Sequence, residues 1–240
     1  DLASGRHLGA FALTEPEAGS DNQAMRTTAR RDGDSYIVNG AKVFCTWASI
    51  AQVLTTFARA ADDPDGEGLV ALVTDLPVEG LIVSRLEEKM GFHGSPTAQL
   101  IFEDVRVPVA NRLGRPGDGL SIAMHTLNPG RVLIGALALG LAEGALEFAG
   151  RYLDERRQFG QRLSSFQGLR FKIADHATEI EAARMLLQAA ADAVDHGSDN
   201  VIQLSSMAKL FATEVAMRVT TEAVGLLGGY GYLTDYPVER

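Results

Sequence analysis

Apolar positions follow two different periods along this chain. Up to about residue 115, Gly, Pro, Asn and Asp cut it into short runs rich in β-branched and aromatic residues, the pattern of antiparallel strands. Ser35-Tyr36-Ile37-Val38 and Lys42-Val43-Phe44 flank Asn39-Gly40. Asn-Gly supplies the two positive-φ positions that a tight hairpin turn needs, so a hairpin is expected there. Further strands are expected at 51–57, 68–74, 81–85 and 100–107, the last stopped by Pro108, which has no N–H for a ladder.

After residue 115 the period becomes helical. Asn128 as cap and Pro129 at the first helical position predict a helix over 129–156, with Gly135, Gly140 and Gly144 admitting close neighbours. Ser164 and Gln167 have the form of a capping box, opening a helix whose Phe166, Ile173, Ile180, Leu187 and Val194 recur every seventh residue. A third helix is expected from near Ser198, with Leu204, Ala208, Phe211, Val215, Val219, Ala223 and Leu226 on one stripe and a stop at Gly228-Gly229. The fold class that follows is α+β: an antiparallel β domain over 1–115, then an incomplete antiparallel helical bundle over 116–240 whose apolar stripes call for further helices.

Composition narrows the function. The 240 residues are 46% hydrophobic and 22% charged, ordinary values for a folded chain. A net charge of −9 provides no positive field for nucleic acid or anionic lipid. No apolar run is read as approaching the roughly 18 residues that span a bilayer, so no membrane partner is expected. The opening DLASGRHLGA has neither the basic nor the apolar region of a secretory signal, and the single cysteine, Cys45, suits a reducing compartment; the expectation is a soluble intracellular protein. The five histidines lack metal-ligand spacing, so no metal site is expected, and neither GxxxxGK[ST] nor GxSxG is present.

Two stretches of the β half place polar and small residues among apolar ones: Phe11-Ala-Leu-Thr14-Glu15-Pro16-Glu-Ala-Gly19-Ser20-Asp21 and Lys42-Val-Phe44-Cys45-Thr46-Trp47. A strand that delivers an aromatic and a hydroxyl, followed by a turn with free N–H groups, suits a flat ring with an attached phosphate. Equally, Thr14, Glu15 and Ser20 serve simply to cap a loop, and spacing alone leaves both readings open.

Five motifs then stand in order: Phe11 to Asp21, Gly91-Phe-His-Gly-Ser-Pro-Thr97, Phe102-Glu-Asp-Val-Arg-Val-Pro108, Arg156-Arg-Gln-Phe-Gly160 with Phe166-Gln167, and Leu227-Gly-Gly-Tyr-Gly-Tyr232. In this the chain resembles the acyl-CoA dehydrogenases. The resemblance implies FAD as cofactor, an acyl-CoA thioester as substrate, an electron-transfer flavoprotein as acceptor, a homotetramer, and a cytoplasmic or mitochondrial-matrix location. It implies that this chain lacks the family's N-terminal helical domain and the end of its four-helix bundle. Matched position by position, it puts Phe11, Leu13, Thr14, Gly19, Ser20, Phe44 and Thr46 at the FAD. Arg156, Gln158, Phe159, Gln167, Gly228 and Gly229 fall at the FAD of a neighbouring subunit, and Ser20, Asn128 and Arg131 at the acyl-CoA. Phe44 stands where many members have Trp, and Gly225 where many have a cofactor-bonding Gln.

The implied reaction removes an α-proton by a carboxylate while the β-hydride passes to flavin. No residue of this chain matches the base, which the resemblance places beyond Arg240; the alternative family position is Gly130, which has no side chain. Segments such as Leu127-Asn-Pro-Gly-Arg131 are similar to short branched-chain members of the isobutyryl-CoA type. The competing functions are a flavin oxidase or monooxygenase on the same fold, and a non-catalytic acyl- or flavin-binding scaffold.

Overall fold

The β-branched runs of the first half pair into an eight-stranded sheet: β1 (Gly9–Ala12), β2 (Thr28–Asp32), β3 (Ser35–Thr46), β4 (Val53–Ala61), β5 (Gly68–Asp75), β6 (Leu81–Leu86), β7 (Thr97–Pro108) and β8 (Arg112–Leu113). The computed structural model describes residues 1–240, which fall into two units, Asp1–His125 and Thr126–Arg240. In the first unit the strand order is β6-β7-β3-β2-β4-β5-β8. β1 and β2 lie one after the other along the same strand, beside Val53–Thr56 and Arg59–Ala61 of β4, and both pairings are parallel. The sheet is therefore mixed, where the strand pattern predicts antiparallel neighbours throughout. Strand direction depends on which strands meet, and no short-range pattern encodes that.

The expected Asn39-Gly40 hairpin does not form. β3 runs through both residues, and the chain reverses instead at Gly33-Asp34, where Asp32 pairs with Ser35 and Gly33 has φ +59°. Asn39 spends its side chain across the sheet: Nδ2 donates to Asp104 Oδ1, and Oδ1 accepts from the Asp104 N–H, each at 2.9 Å. Gly40 is needed for contact as well as for its φ of +146°, since a Cβ there would lie 2.7 Å from Thr27 Cα.

Two bulges set which residues of β3 and β7 face inward. Val38 pairs with Val105 and Gly40 with Phe102, so Glu103 and Asp104 together oppose Asn39, with Asp104 at φ +51°. The extra residue shifts the buried series of β7 from Ala98, Leu100 and Phe102 to Val105 and Val107. Further along, Lys42 pairs with Leu100 and Cys45 with Ala98, so Val43 and Phe44 oppose the single Gln99, with Phe44 at φ +58°. β5 and β7, four places apart in strand order, come into contact, and the curled sheet encloses one core that includes Val38, Leu54, Val70, Leu72, Leu100 and Val107. Each such side chain contributes roughly 1.5–3 kcal/mol by its burial. At the Ser35 end of β3 the buried Tyr36 hydroxyl donates to Asp63 and accepts from Arg112 Nη1 at 2.6 Å, tying β8 and the loop after β4 to the sheet.

α1 (Gly119–Glu155), α2 (Gln167–Asp195) and α3 (Val201–Leu226) follow, and the division between the units falls within α1. α1 begins ten residues before the predicted start, so Asn128 caps nothing and Pro129 is interior. Leu120, Ile122, Ala123 and Met124 extend the helix N-terminally, and the cost is the N–H that Pro129 does not offer to the His125 carbonyl. Contrary to the sequence reading, α1 also holds an 18-residue window of mean hydropathy 1.7, long and apolar enough by composition to cross a membrane, of which 28% is buried in this chain. The core helix of a non-membrane protein meets the same test, so the window by itself decides nothing.

Nor does the capping box form. A 3-10 turn at Leu163–Ser165 precedes α2, Phe166 is its N-cap with no side-chain bond, and the Phe166 carbonyl accepts from the N–H groups of Leu169 and Arg170. α2 and α3 run antiparallel, tied by Lys172–Glu222 and by Glu179–Arg218 at 3.1 Å. Small residues line their seam: Ala183 and Ala190 against Ala208, Ala212 and Ala216. α1 joins this core through Ala138, Leu139 and Ala142, and a Cβ on Gly135 would sit 2.6 Å from Leu187 Cδ2. Gly140 and Gly144 face open space. α3 ends where expected, with Gly228 at φ +60° just past its last turn.

Gly33 in the β2–β3 turn and Gly40 within β3 should respond differently to alanine. Gly33→Ala meets no atom within 4 Å and suffers only its φ, about 1 kcal/mol, whereas Gly40→Ala adds a backbone clash and should cost visibly more. Urea unfolding of both variants measures the difference.

Candidate functional site

In the first unit the site residues gather at the far end of β3, and the bulge there is what exposes them. Inward-facing residues along β3 are Tyr36, Val38 and Lys42; without an extra residue Phe44 would continue that series into the core. The bulge instead sends Cys45 inward and turns Phe44 and Thr46 outward, leaving Phe44 66% exposed. A bulky residue at positive φ is strained, and the sheet holds it so by closing the ladder on either side. Cys45 is packed, its thiol pushed by burial up to about 11, so it is no nucleophile at neutral pH.

Beside the bulge lies the loop that follows β1. The Thr14 carbonyl accepts from the Val43 N–H at 2.9 Å, and Glu15 and Ala18 bridge to each other. Leu13 is buried, Thr14 half-buried, and Gly19 and Ser20 exposed. The N–H groups of Leu13, Thr14, Gly19 and Ser20 make no bond within the chain. Phe11 stands slightly apart, its ring against Phe57 with centroids 4.9 Å apart.

One ion pair underlies this loop. Lys42 has no exposed surface, and its Nζ donates to the Leu13 carbonyl at 2.9 Å and to Glu15 Oε1 at 2.8 Å. Glu15, also buried, accepts in addition from the N–H groups of Arg26 at 2.6 Å and Thr27 at 3.0 Å. Burial raises the Glu15 pKa, but the hydrogen bonds from Lys42, Thr27 and Arg26 outweigh it and the carboxyl lies below its ordinary value. Burial pulls Lys42 down from its ordinary value, and Glu15 only partly restores it. Neither residue was assigned a site role from sequence beyond loop capping for Glu15. The available signal was a lysine on the inward phase of a strand, which demands a buried partner.

In the second unit, β9 (Arg157–Gln158) and β10 (Gln161–Arg162) form a two-residue hairpin with Phe159 and Gly160 at φ +54° and +78°. This is the double positive-φ turn that the sequence reading put at Asn39-Gly40. It projects Phe159, 92% exposed, with its ring 6.2 Å from Phe166, next to the exposed Gln167. Gln158 is exposed beside it, while Arg156 lies over the Tyr230 ring at 5.4 Å, which links the hairpin to Gly228-Gly229. Gly231 is explained by the chain itself, since a Cβ there would meet the Val224 carbonyl at 2.2 Å; Gly229 and Gly19 have nothing within 4 Å. On α1, Arg131 Nη1 donates to Asn128 Oδ1 at 2.6 Å, so Asn128, expected as a cap, orients the guanidinium instead.

Comparison with known proteins identifies the family. The family model "Acyl-CoA dehydrogenase, middle domain" matches residues 10–105, and "Acyl-CoA dehydrogenase, C-terminal domain" matches residues 117–240. The chain belongs to the acyl-CoA dehydrogenase family. An acyl-CoA dehydrogenase of Bacillus subtilis is 48% identical over the whole chain, which covers 63% of that relative. Butyryl-CoA dehydrogenase from Megasphaera elsdenii superposes with a TM-score of 0.94 at 44% identity, over 100% of this chain and 62% of that one. A glutaryl-CoA dehydrogenase from Mycobacterium smegmatis, solved in complex with FADH2, gives 0.90 at 32% identity, over 100% of this chain and 60% of that one. The chain thus spans about three-fifths of the length of these acyl-CoA dehydrogenases, an oxidoreductase family.

Two outcomes test the site's energetics. Glu15→Gln leaves a buried lysine without its counter-charge and should cost roughly 3–5 kcal/mol at neutral pH. Because the folded Glu15 pKa is lowered, its contribution is complete above the ordinary value of 4.5 and is lost as the pH falls below that. The gap in urea midpoint between wild type and Glu15→Gln should therefore narrow below pH 4.5. Separately, Phe159→Asn should raise the unfolding midpoint by relieving positive-φ strain at a site where little packing is lost.

Proposed function

We propose that this chain forms the middle and C-terminal parts of an FAD-dependent acyl-CoA dehydrogenase that oxidises a short acyl-CoA thioester at its α,β bond. The observation that carries this reading is the end of β3, where the exposed Phe44 and Thr46 follow Val43, whose N–H ties in the loop that carries the free N–H groups of Leu13 and Thr14. A flat wall, a hydroxyl and unpaired donors suit a planar heteroaromatic ring rich in acceptors, and the open space at Gly19 suits a pyrophosphate approaching the backbone. These residues fit FAD, whose bound flavin supplies a two-electron acceptor.

The roles of the chain's own groups follow. Phe11, Leu13, Thr14, Gly19, Ser20, Phe44 and Thr46 hold the cofactor from the first unit. Arg156, Gln158, Phe159, Gln167, Gly228 and Gly229 contact the cofactor of a neighbouring copy, a role that gives the strained exposure of Phe159 a purpose. Ser20, Asn128 and Arg131 bind the acyl-CoA, with Asn128 holding the Arg131 guanidinium in place for an anionic group. The proton-abstracting carboxylate is assigned to residues beyond Arg240, since Gly130 offers none. An electron-transfer flavoprotein as acceptor and a homotetramer complete the proposal. Exposed Leu133, Ile134, Leu137 and Leu141 on one stretch of α1 support burial of that surface in the intact protein.

The intact natural protein, purified and incubated with FAD, should be yellow, and anaerobic addition of butyryl-CoA or isobutyryl-CoA should bleach the flavin band. Bound FAD that no short acyl-CoA reduces would refute the dehydrogenase reading. Arg131→Ala should raise KM for the acyl-CoA about tenfold or more while leaving FAD bound.

A further inference from the structure

We propose that Lys42 is a positioning residue for the flavin, aiming the Thr14 N–H outward by holding the Leu13 carbonyl inward. The inference rests on the FAD reading above and adds a residue that contacts no ligand.

The geometry is that of a single peptide unit. In a trans peptide the C=O of Leu13 and the N–H of Thr14 point in opposite directions from one rigid plane. Lys42 Nζ is shut away from solvent and donates to two acceptors, the Leu13 carbonyl and Glu15 Oε1. With the carbonyl pinned to the core, the Thr14 N–H faces away from it and meets no protein acceptor. The next plane is fixed differently, by the Val43 N–H on the Thr14 carbonyl, and its N–H, that of Glu15, is used internally on Ala18. Lys42 thus controls the one of these two donors that is left for a ligand.

No other group bonds the Leu13 carbonyl. β1 ends at Ala12 and pairs with β4, not with β3, so the loop leaves the ladder just where Lys42 takes it up. Lys42 is also two residues before Phe44 on β3, so the strand that carries the aromatic wall also sets the distance to the opposite donor. Glu15 is held in turn by the Arg26 and Thr27 N–H groups, which makes the anchor independent of the ligand. An apolar side chain at 42 would fill the space and leave the Leu13 carbonyl without its partner, so that this peptide plane loses the bond that orients it.

Two variants of the intact protein separate positioning from stability. Lys42→Met removes the clamp but strands Glu15. The double variant Lys42→Met/Glu15→Met replaces the buried pair by apolar groups of similar size, an exchange that often leaves stability unchanged. Apo protein is titrated with FAD by flavin fluorescence, the visible spectrum of the bound flavin is recorded, and melting temperature is measured alongside. Asp63→Asn is the control: it weakens the buried Tyr36–Asp63–Arg112 cluster, six residues or about 20 Å away along β3. The expected result is that both Lys42 variants bind FAD about tenfold more weakly or worse, with an altered flavin band, even where melting is unchanged. Asp63→Asn is expected to melt earlier yet keep wild-type affinity and spectrum. The proposal is overturned if the double variant melts normally and binds FAD with wild-type affinity and spectrum. It is equally overturned if Asp63→Asn, at matched loss of melting temperature, reproduces the Lys42 effects. A wild-type apo protein that takes up no FAD overturns the FAD reading and this inference together.

Discussion

An ammonium group shut away from water must find its acceptors in the protein, and that demand organises one end of the β unit. Lys42 meets it by drawing in the Leu13 carbonyl and Glu15, and Glu15 by drawing in two backbone N–H groups of the segment before β2. Two stretches distant from β3 in sequence, residues 13–15 and 26–27, are thereby fixed against that one strand. A charge pair of this kind contributes less to stability than its Coulomb attraction suggests, because both ions are desolvated. Its larger effect is on specificity: few arrangements of these stretches satisfy both charges.

Much of the architecture was legible in the pattern of apolar residues. Strands expected at 68–74, 81–85 and 100–107 fall within β5, β6 and β7, that at 51–57 overlaps β4 from Val53, and the stripe of α3 is buried almost as spaced. Local rules misled where tertiary pairing overrode them. Asn39-Gly40 has ideal turn chemistry, yet Asn39 pairs with Asp104 across the sheet and Gly40 yields to Thr27. Asn128-Pro129 has ideal helix-start chemistry, yet the helix-forming residues before it carry α1 through. β1 and β2 are too short for their runs to stand out, and their parallel pairing leaves no mark in sequence.

The site was legible unevenly. Its outward residues carry motifs, and the family match over both units agrees with the resemblance those motifs bear. The groups beneath them are ordinary residue types whose meaning appears only in three dimensions. Lys42 in a strand and Glu15 in a loop each have many surface roles, and only their pairing away from solvent distinguishes them. The bulge at Val43-Phe44 is likewise silent in sequence, since no glycine marks it.

That bulge has an evolutionary consequence. With one residue inserted between Lys42 and Cys45, the strand changes faces without a turn, so the hydrophobic interior ends its claim on position 44. Mutation there alters what an approaching molecule meets while the packed interior keeps its shape, and drift can sample indole, phenyl or phenol at little thermodynamic risk. The strand thus keeps one end for folding and frees the other for selection to adjust.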